Sequence, residues 1–403
     1  LEAARAIDSG APLSSVRGLL VRDESGEPVS TGARGTVPDL DTLPFPGPHY
    51  RGHHLDAESE ASFVITSRGC PARCTFCNTP DFWGTRMRFR GPDHMLEEIR
   101  HLKERMGILH VSIRDDTFTV NKRRVIEFCR KLIASRLDVM WNCQSRVNAI
   151  DEERLAWMRR AGCDHIQYGI ESGSERMLRG LAKDITLDEI RQAAHLTRRT
   201  GLLLSIYLIS GVPGETDADY RATETLMEQT RPHDGIVAPL AVFPGTHLYD
   251  EMKREGVIDD DFWVHEKKDT LYSMTGAAAR RSFQRLTRLC DRVGRQAGYT
   301  REDLERHKKL LPDSFATWIA SGLAYEAEGD PGAALAEYEA IESFCRSNLW
   351  ANLHIGRLLR RTGDPDGAAI YLKRALDSSP RSRAVRDLLE ATKRRPARVR
   401  VGA

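Results

Sequence analysis

Ser67-Arg-Gly-Cys-Pro-Ala-Arg-Cys-Thr-Phe-Cys-Asn78 is the stretch on which the reading of this 403-residue chain turns. Cys70, Cys74 and Cys77 fall within eight residues, directly after the β-like run Ala61 to Thr66. The spacing is C-x3-C-x2-C, with an aromatic residue, Phe76, before the last cysteine. Three thiolates on one short loop hold a metal centre but leave a four-ligand site one ligand short. An open position is how a metal centre does chemistry rather than only bracing a fold. Two readings follow: an iron–sulfur cluster with one iron free, or a zinc knuckle that takes its fourth ligand from His53 or His54.

Working outward, residues 61–256 alternate β-like runs with helical patterns. The strand candidates are Phe63 to Thr66, Ile108 to Ile113, Val139 to Gln144, His165 to Ile170, Leu202 to Ile209 and Gly235 to Val242. Several are nearly continuous apolar runs, the pattern of parallel strands covered on both faces. Between them, one helix opens at Pro92 with Leu96, Ile99, Leu102 and Met106 on one face. A second carries Val125, Phe128, Cys129, Leu132 and Ile133 at helical spacing, and a third opens on the capping box Thr186/Glu189. Six β–α units predict an α/β fold, a parallel barrel or a doubly wound sheet. In such folds the working loops leave the C-terminal ends of the strands, where the cysteine loop lies. The later strand ends also carry polar groups: Arg114 to Thr119, Ser145 with Arg146, Gly169 to Ser174, Ser210 to Glu215, and Phe243 to Thr246.

The flanks are different. Residues 1–60 are the least periodic, with a short strand expected in Val16 to Val21, a turn at Glu24 to Pro28 and a proline-rich connector at Asp39 to Pro48. Residues 257–311 read as a charged helical extension anchored by Phe262 and Trp263. In residues 312–403, Gly322, Gly329, Asp330, Pro331 and Ala334 recur 34 residues later as Gly356, Gly363, Asp364, Pro365 and Ala368. This resembles the tetratricopeptide repeat, two units with a final helix at Arg383 to Lys393. So short an array is expected to pack on the barrel and to offer a surface to a protein partner. Lys393 to Arg400 reads as a solvated basic tail.

Lys plus Arg number 60 against 58 Asp plus Glu, so no global positive field points to nucleic acid. No apolar run approaches the length of a membrane span, and no signal-peptide pattern is present. Cys129, Cys143, Cys163, Cys290 and Cys345 are scattered, unlike a secreted disulfide framework, and read as small hydrophobes in a cytoplasmic protein.

The cysteine spacing together with the strand ends resembles the radical S-adenosylmethionine (radical SAM) superfamily. The resemblance covers residues 61–256 and implies a partial (β/α)6 TIM-like barrel. It implies that Cys70, Cys74 and Cys77 hold a [4Fe-4S] cluster whose fourth iron is chelated by S-adenosylmethionine. It sets Phe76 beside the adenine, Asp115 and Asp116 at the methionyl amino group, and Arg146 at the methionyl carboxylate. Glu171 and Ser172 take ribose or carboxylate contacts, and Ile209 and Gly211 touch adenine. The family's G-x-I-x-G-x-x-E pattern is altered here to Tyr207-Leu-Ile-Ser-Gly-Val-Pro-Gly214, with Glu215 one place late. The activity implied is reductive cleavage of S-adenosylmethionine to a 5′-deoxyadenosyl radical, fed by a reductase such as flavodoxin or ferredoxin. The substrate is a small molecule or peptide. Asp115-Asp-Thr-Phe-Thr, Ala161-Gly-Cys, Gly169-Ile-Glu-Ser-Gly-Ser-Glu and Phe243-Pro-Gly-Thr are similar to the cobalamin-binding subfamily that includes the anaerobic magnesium-protoporphyrin cyclase. That resemblance makes residues 1–60 the tail of a cobalamin-binding domain plus linker. The cobalamin motif D-x-H-x-x-G is absent, so cobalamin is expected in the full-length protein only. The rival functions are a methylthiotransferase, which would show a further cysteine triad and a basic module, and a zinc-stabilised adaptor working through its repeats.

Overall fold

The computed structural model describes residues 1–46, 62–259, 261 and 276–393. Phe262, Trp263, His53, His54 and the tail from Arg394 lie outside the described residues. The chain divides into Leu1–Leu40 and Asp41–Ala403.

In the first unit, a helix at Glu2–Ser9 ends on Gly10 in the left-handed conformation. A small antiparallel hairpin pairs Leu20–Arg22 with Pro28–Ser30. Its turn is held by the Asp23 carboxylate, which accepts from the Ser25 and Glu27 amides at 2.9 Å. The expected strand thus begins four residues later than Val16, and the turn stands where Glu24 to Pro28 predicted it.

The second unit is built on six parallel strands: β1 (Phe63–Val64), β2 (His110–Ile113), β3 (Met140–Ser145), β4 (Cys163–Glu171), β5 (Leu203–Ser210) and β6 (Asp234–Pro239). Each pairs with its chain neighbour, so the spatial order is the sequence order, and among the described residues no ladder joins β6 back to β1. This is the open, partial barrel that the family resemblance implied, where the strand pattern alone had left a doubly wound sheet open. The crossover helices are α1 (Pro92–His101), α2 (Lys122–Ser135), α3 (Glu152–Arg160), α4 (Leu187–Arg199) and α5 (Asp217–Thr230). Asn121, Asp151 and Thr186 cap α2, α3 and α4 with their side chains, and Glu189 completes the capping box.

The strands are not apolar on both faces. Val111, Ile113, Trp141, Cys143, Ile166, Tyr168, Leu204, Ile206 and Leu208 alternate onto the helix-covered face and are buried. There Phe118, Phe128 and Trp141 meet edge-to-face, with centroids 5.6–6.2 Å apart. The intervening Ser112, Asn142, Gln144, Gln167 and Tyr207 are polar, because that face lines the barrel interior rather than a second helical layer. Ile133, expected on the buried face of α2, is 42% exposed.

Helix α6 (Ala277–Gly294) lays Leu286, Leu289, Cys290 and Val293 into the same core as the strands. Of the scattered cysteines, Cys129, Cys143, Cys163 and Cys290 are buried and Cys345 is half-buried. After α7 (Arg301–Leu310) come two helical hairpins, α8 (Phe315–Ala327) with α9 (Pro331–Ala340), and α10 (Leu349–Thr362) with α11 (Pro365–Ser378), and then α12 (Arg383–Lys393). Gly322 and Gly356 mark the close approaches: a Cβ at Gly322 would stand 2.2 Å from Tyr338, and one at Gly356 would stand 2.6 Å from Leu372. The helical hairpins dock on the N-terminal ends of the strands. The fully buried Arg159 donates to the Ala316 carbonyl at 2.9 Å, and the Trp350 indole donates to the Asp138 carbonyl at 2.7 Å. The C-terminal ends of the strands stay free of this array.

Candidate metal centre

The cysteine loop is gripped at both ends. Ser67–Arg68, just past β1, pairs antiparallel with Arg88–Phe89 and closes the loop like a drawstring. Gly69 turns the chain at φ 95°, and a Cβ there would stand 2.7 Å from the Arg86 carbonyl, so only glycine fits before Cys70. In the middle, the Thr75 amide donates to the Leu181 carbonyl at 3.0 Å, and the Thr75 carbonyl accepts from Leu248 at 2.9 Å. Phe76 packs against the apolar cluster of Met177, Leu181, Ile209 and Leu240. The Cys77 amide donates to the Cys74 carbonyl at 3.2 Å.

A cavity of about 350 Å³ opens above the strand ends. Cys70, Cys74 and Cys77 form one wall. Asp116, Arg146, Glu171 and Lys183 supply charge, and Phe76, Ile209, Leu240 and Phe243 supply an apolar side. Of the expected site residues, Cys70, Cys74, Cys77, Phe76, Asp116, Arg146, Glu171 and Ile209 are brought together here. Asp115, Ser172 and Gly211 are not in its wall. Asp115 is buried with its carboxylate fully spent: it accepts from the Thr66 amide and hydroxyl, both at 2.5 Å, and from the Ser67 amide at 3.1 Å and hydroxyl at 2.7 Å. It anchors the loop's entry rather than facing a cofactor. Ser172 is buried and accepts from the Ser174 amide at 3.2 Å. Gly211, at φ 76°, turns the chain away against Ala279, which a Cβ would approach to 2.7 Å.

The charged groups are held in distinct states. Burial pushes the Asp116 carboxyl above the usual range, against a 3.1 Å bond from the Thr79 hydroxyl. Burial also pushes the Cys77 thiol up. Arg146 is pinned by the Lys183 and Asp184 carbonyls at 2.8 and 3.2 Å, has no carboxylate in ion-pair range among the described residues, and stands 3.9 Å from the Cys74 sulfur. Glu171 sits at a break in the β4–β5 register with φ 66° and pairs with buried Lys183 at 2.6 Å. A side chain at Gly169 would collide with that pair. A non-glycine residue in this conformation stores strain that is tolerated where surrounding structure fixes it.

Sequence reasoning missed Lys183, Gln144, Gln167 and Tyr207. Gln144 donates to the Tyr207 hydroxyl at 3.1 Å, and Tyr207 donates to Gln167 at 2.9 Å. The signal was the period-two alternation of β3, β4 and β5, where polar side chains recur on one face. Lys183 lies in a loop and acquires its role only through the ion pair.

The donor set fits a cluster. All three cysteines are free and open into one cavity. Among the described residues no three His, Cys, Asp or Glu side chains converge on a single ion. Tetrahedral zinc needs thiolates about 3.8 Å apart, from Zn–S bonds of about 2.3 Å. A four-iron cluster asks each thiolate to take a different iron and leaves the fourth iron open, which suits three cysteines of one loop that face a common cavity.

Comparison with known proteins agrees. Residues 64–227 match the radical SAM superfamily model. An uncharacterized methyltransferase of Pyrococcus horikoshii is 30% identical over 247 residues, covering 61% of this chain and 54% of the relative. The anaerobic magnesium-protoporphyrin IX monomethyl ester cyclase of Rubrivivax gelatinosus is 26% identical over 258 residues, covering 61% and 46%. The radical S-adenosylmethionine methyltransferase TsrM from Kitasatospora setae, solved with cobalamin and a [4Fe-4S] cluster bound, matches with a TM-score of 0.54 at 22% identity, over 63% of this chain and 52% of that one. The cobalamin-dependent S-adenosylmethionine radical enzyme OxsB, with aqua-cobalamin bound, matches with a TM-score of 0.55 at 15% identity, over 97% and 65%. The structural likenesses are of fold. The chain spans about half the length of the curated relatives it matches. Residues 64–227 are a radical SAM domain.

Proposed function

We propose that this chain is the catalytic part of a radical SAM enzyme of the cobalamin-dependent methyltransferase or cyclase group. The observation that carries the reading is the placement of Cys70, Cys74 and Cys77 on the loop after β1, facing a cavity walled by the ends of β3 to β6. Cys70, Cys74 and Cys77 hold a [4Fe-4S] cluster, and S-adenosylmethionine occupies the space above the strand ends. When bound, these cofactors supply one-electron cleavage of a carbon–sulfur bond and hydrogen abstraction from the substrate.

The chain's own side chains bind and orient. Arg146, without a carboxylate partner among the described residues, has Nη2 held by two carbonyls and Nε by Asn148, and offers Nη1 to a carboxylate as a charge-assisted bond. Asp116, disfavoured as an anion by burial, gains from an ammonium group beside it. Phe76, Ile209 and Leu240 give an apolar slot for a purine ring. The Glu171–Lys183 pair fixes the β4 end with no net charge. The Gln144–Tyr207–Gln167 chain lines the barrel interior, where a substrate enters from the open edge. We assign the helical hairpins to a tetratricopeptide-type pair that docks a protein or substrate carrier, the electron donor to a flavodoxin- or ferredoxin-type protein, and the compartment to the cytoplasm. No helix among the described residues is long and apolar enough to cross a membrane.

The test is anaerobic reconstitution with iron and sulfide. The expected protein is brown, binds S-adenosylmethionine and releases 5′-deoxyadenosine on reduction, whereas Cys74→Ala does neither. A Cys74→Ala chain that still carries a normal catalytic cluster overturns the assignment. Cobalamin retained by the longer protein, with methyl transfer, separates the cobalamin-dependent reading from a plain radical SAM enzyme.

A further inference from the structure

A second cavity, of about 930 Å³, lies at the other end of the barrel, between the C-terminal halves of α4 and α5 and the face of α7. Its volume is that of a site for a small organic ligand. Arg191, Arg198, Arg199, Arg231, Arg306 and Lys309 line it, and among the described residues Asp303 is the only carboxylate in its wall. Three of these cations are spoken for: Arg191 by Asp188, Arg199 by Glu152, and Arg306 by Glu302 and Asp303. Arg198, Arg231 and Lys309 have no carboxylate within ion-pair distance among the described residues. Six cations therefore face four carboxylates, an excess of two positive charges.

Part of this has a structural account. Nη1 of Arg198 donates to the Arg231 and Ala297 carbonyls at 2.7 and 3.0 Å, and Nη2 of Arg231 donates to the Gln296 carbonyl at 2.7 Å. These bonds satisfy helix-end carbonyls. They leave Nε and Nη2 of Arg198, Nε and Nη1 of Arg231 and the whole Lys309 ammonium without a hydrogen bond to a described residue. Arg231 and Lys309 are exposed, so their donors are available to a ligand. Burial pushes His307 down to about 4 and leaves it neutral, donating from Nε2 to the Arg198 carbonyl at 2.8 Å, so it neither adds to nor cancels the charge. Ala194, Tyr299 and Leu310 add an apolar side.

We propose that this groove binds a phosphate ester of nucleotide size, with its phosphates on Arg198, Arg231 and Lys309 and its organic part against Leu310 and Ala194. Guanidinium groups with unspent donors suit phosphate oxygens. The site is separate from the cysteine cavity, because α4 and α5 end at the N-terminal edge of β5 and β6 while the cysteines lie past the C-terminal edge of β1. It abuts α7, the helix that leads into the helical hairpins, so occupancy would brace that junction.

The test is calorimetric titration of the chain with ATP and with tripolyphosphate. Saturable one-to-one binding of ATP is expected, tighter than tripolyphosphate and weakened by salt. Arg231→Glu and Lys309→Glu, both at exposed positions, should each weaken it by about tenfold. Arg383→Glu, at an exposed position of α12 and of the same charge change, should not. No saturable binding overturns the proposal, as does an equal loss in Arg383→Glu. Equal affinity for tripolyphosphate overturns the nucleotide-size assignment. None of these outcomes depends on the cluster.

Discussion

Asp115 is the residue whose removal best separates anchoring from cofactor contact. Its carboxylate accepts from two buried backbone amides and two hydroxyls at the entry to the cysteine loop. Arg124 reinforces the same corner, donating to the Thr66 carbonyl at 2.9 Å and to its hydroxyl at 2.5 Å. In Asp115→Ala the hydroxyls can turn elsewhere, but the Thr66 and Ser67 amides lose their acceptor. Each buried orphan costs about 1–3 kcal/mol, so the loss is about 2–6 kcal/mol. At a urea m-value of about 3 kcal/mol/M, the midpoint should fall by about 0.7–2 M. Asp115→Asn keeps one oxygen for the amides and turns an NH2 toward hydroxyls able to accept, so about 1–2 kcal/mol is expected, as charge-assisted bonds become neutral ones. Iron retained after anaerobic reconstitution should fall in the same order. Asp116→Asn should behave oppositely: removing a partly desolvated, disfavoured charge at the cavity wall leaves stability unchanged or higher, while S-adenosylmethionine binds more weakly. The anchoring argument is refuted if Asp115→Ala unfolds at the wild-type urea concentration, or if Asp115→Asn loses only S-adenosylmethionine affinity.

Lys183→Met strands buried Glu171 and should cost about 3–5 kcal/mol by denaturant unfolding, most of it recovered in Glu171→Gln/Lys183→Met; a double variant no better than the single one contradicts the pairing. Burial, helped by a neighbouring arginine in each case, holds His233 down to about 3 and His307 and His354 to about 4. Above pH 6.5 both folded and unfolded chains keep these rings neutral; between 6.5 and about 4 only the unfolded chain takes up the protons, so stability falls as pH falls. The contribution is on the order of 2 kcal/mol per ring at pH 5, and a thermal midpoint that stays level from pH 7.5 to 5 would contradict it. Gly107→Ala places a Cβ 2.4 Å from the Arg381 carbonyl at φ 77°. It should cost more than the about 1–2 kcal/mol of left-handed strain alone and should speed proteolysis between the barrel and α12, with the cysteine site unchanged.

The barrel was legible because its two signals are local: strand-length apolar runs and capped helices at regular spacing. The cysteine loop was legible because ligand spacing survives as a string of letters. What the string concealed was direction. Asp115 and Asp116 are adjacent and chemically identical, yet in the turn that follows β2 their side chains part, so one carboxylate anchors the loop and the other faces the cavity. Ser172 and Gly211 follow their strands closely, but the backbone has already turned them away from the wall. The apolar reading of β3, β4 and β5 overlooked alternate Gln144, Gln167 and Tyr207, which matter only once the barrel interior is known to be open. Arg146 directly follows β3 and meets Lys183 only because the connection from β4 to α4, after its short helix Glu175–Gly180, folds back over the end of β3.

The central claim is that the three cysteines hold a cluster whose open iron takes S-adenosylmethionine. Electron paramagnetic resonance of the anaerobically reconstituted, dithionite-reduced chain tests it most directly, with iron and sulfide at about four each per chain. The account predicts a reduced-cluster signal whose g-values and line shape change when S-adenosylmethionine is added. A cluster signal identical with and without it, or stoichiometric zinc in place of iron in protein purified without oxygen, would contradict it.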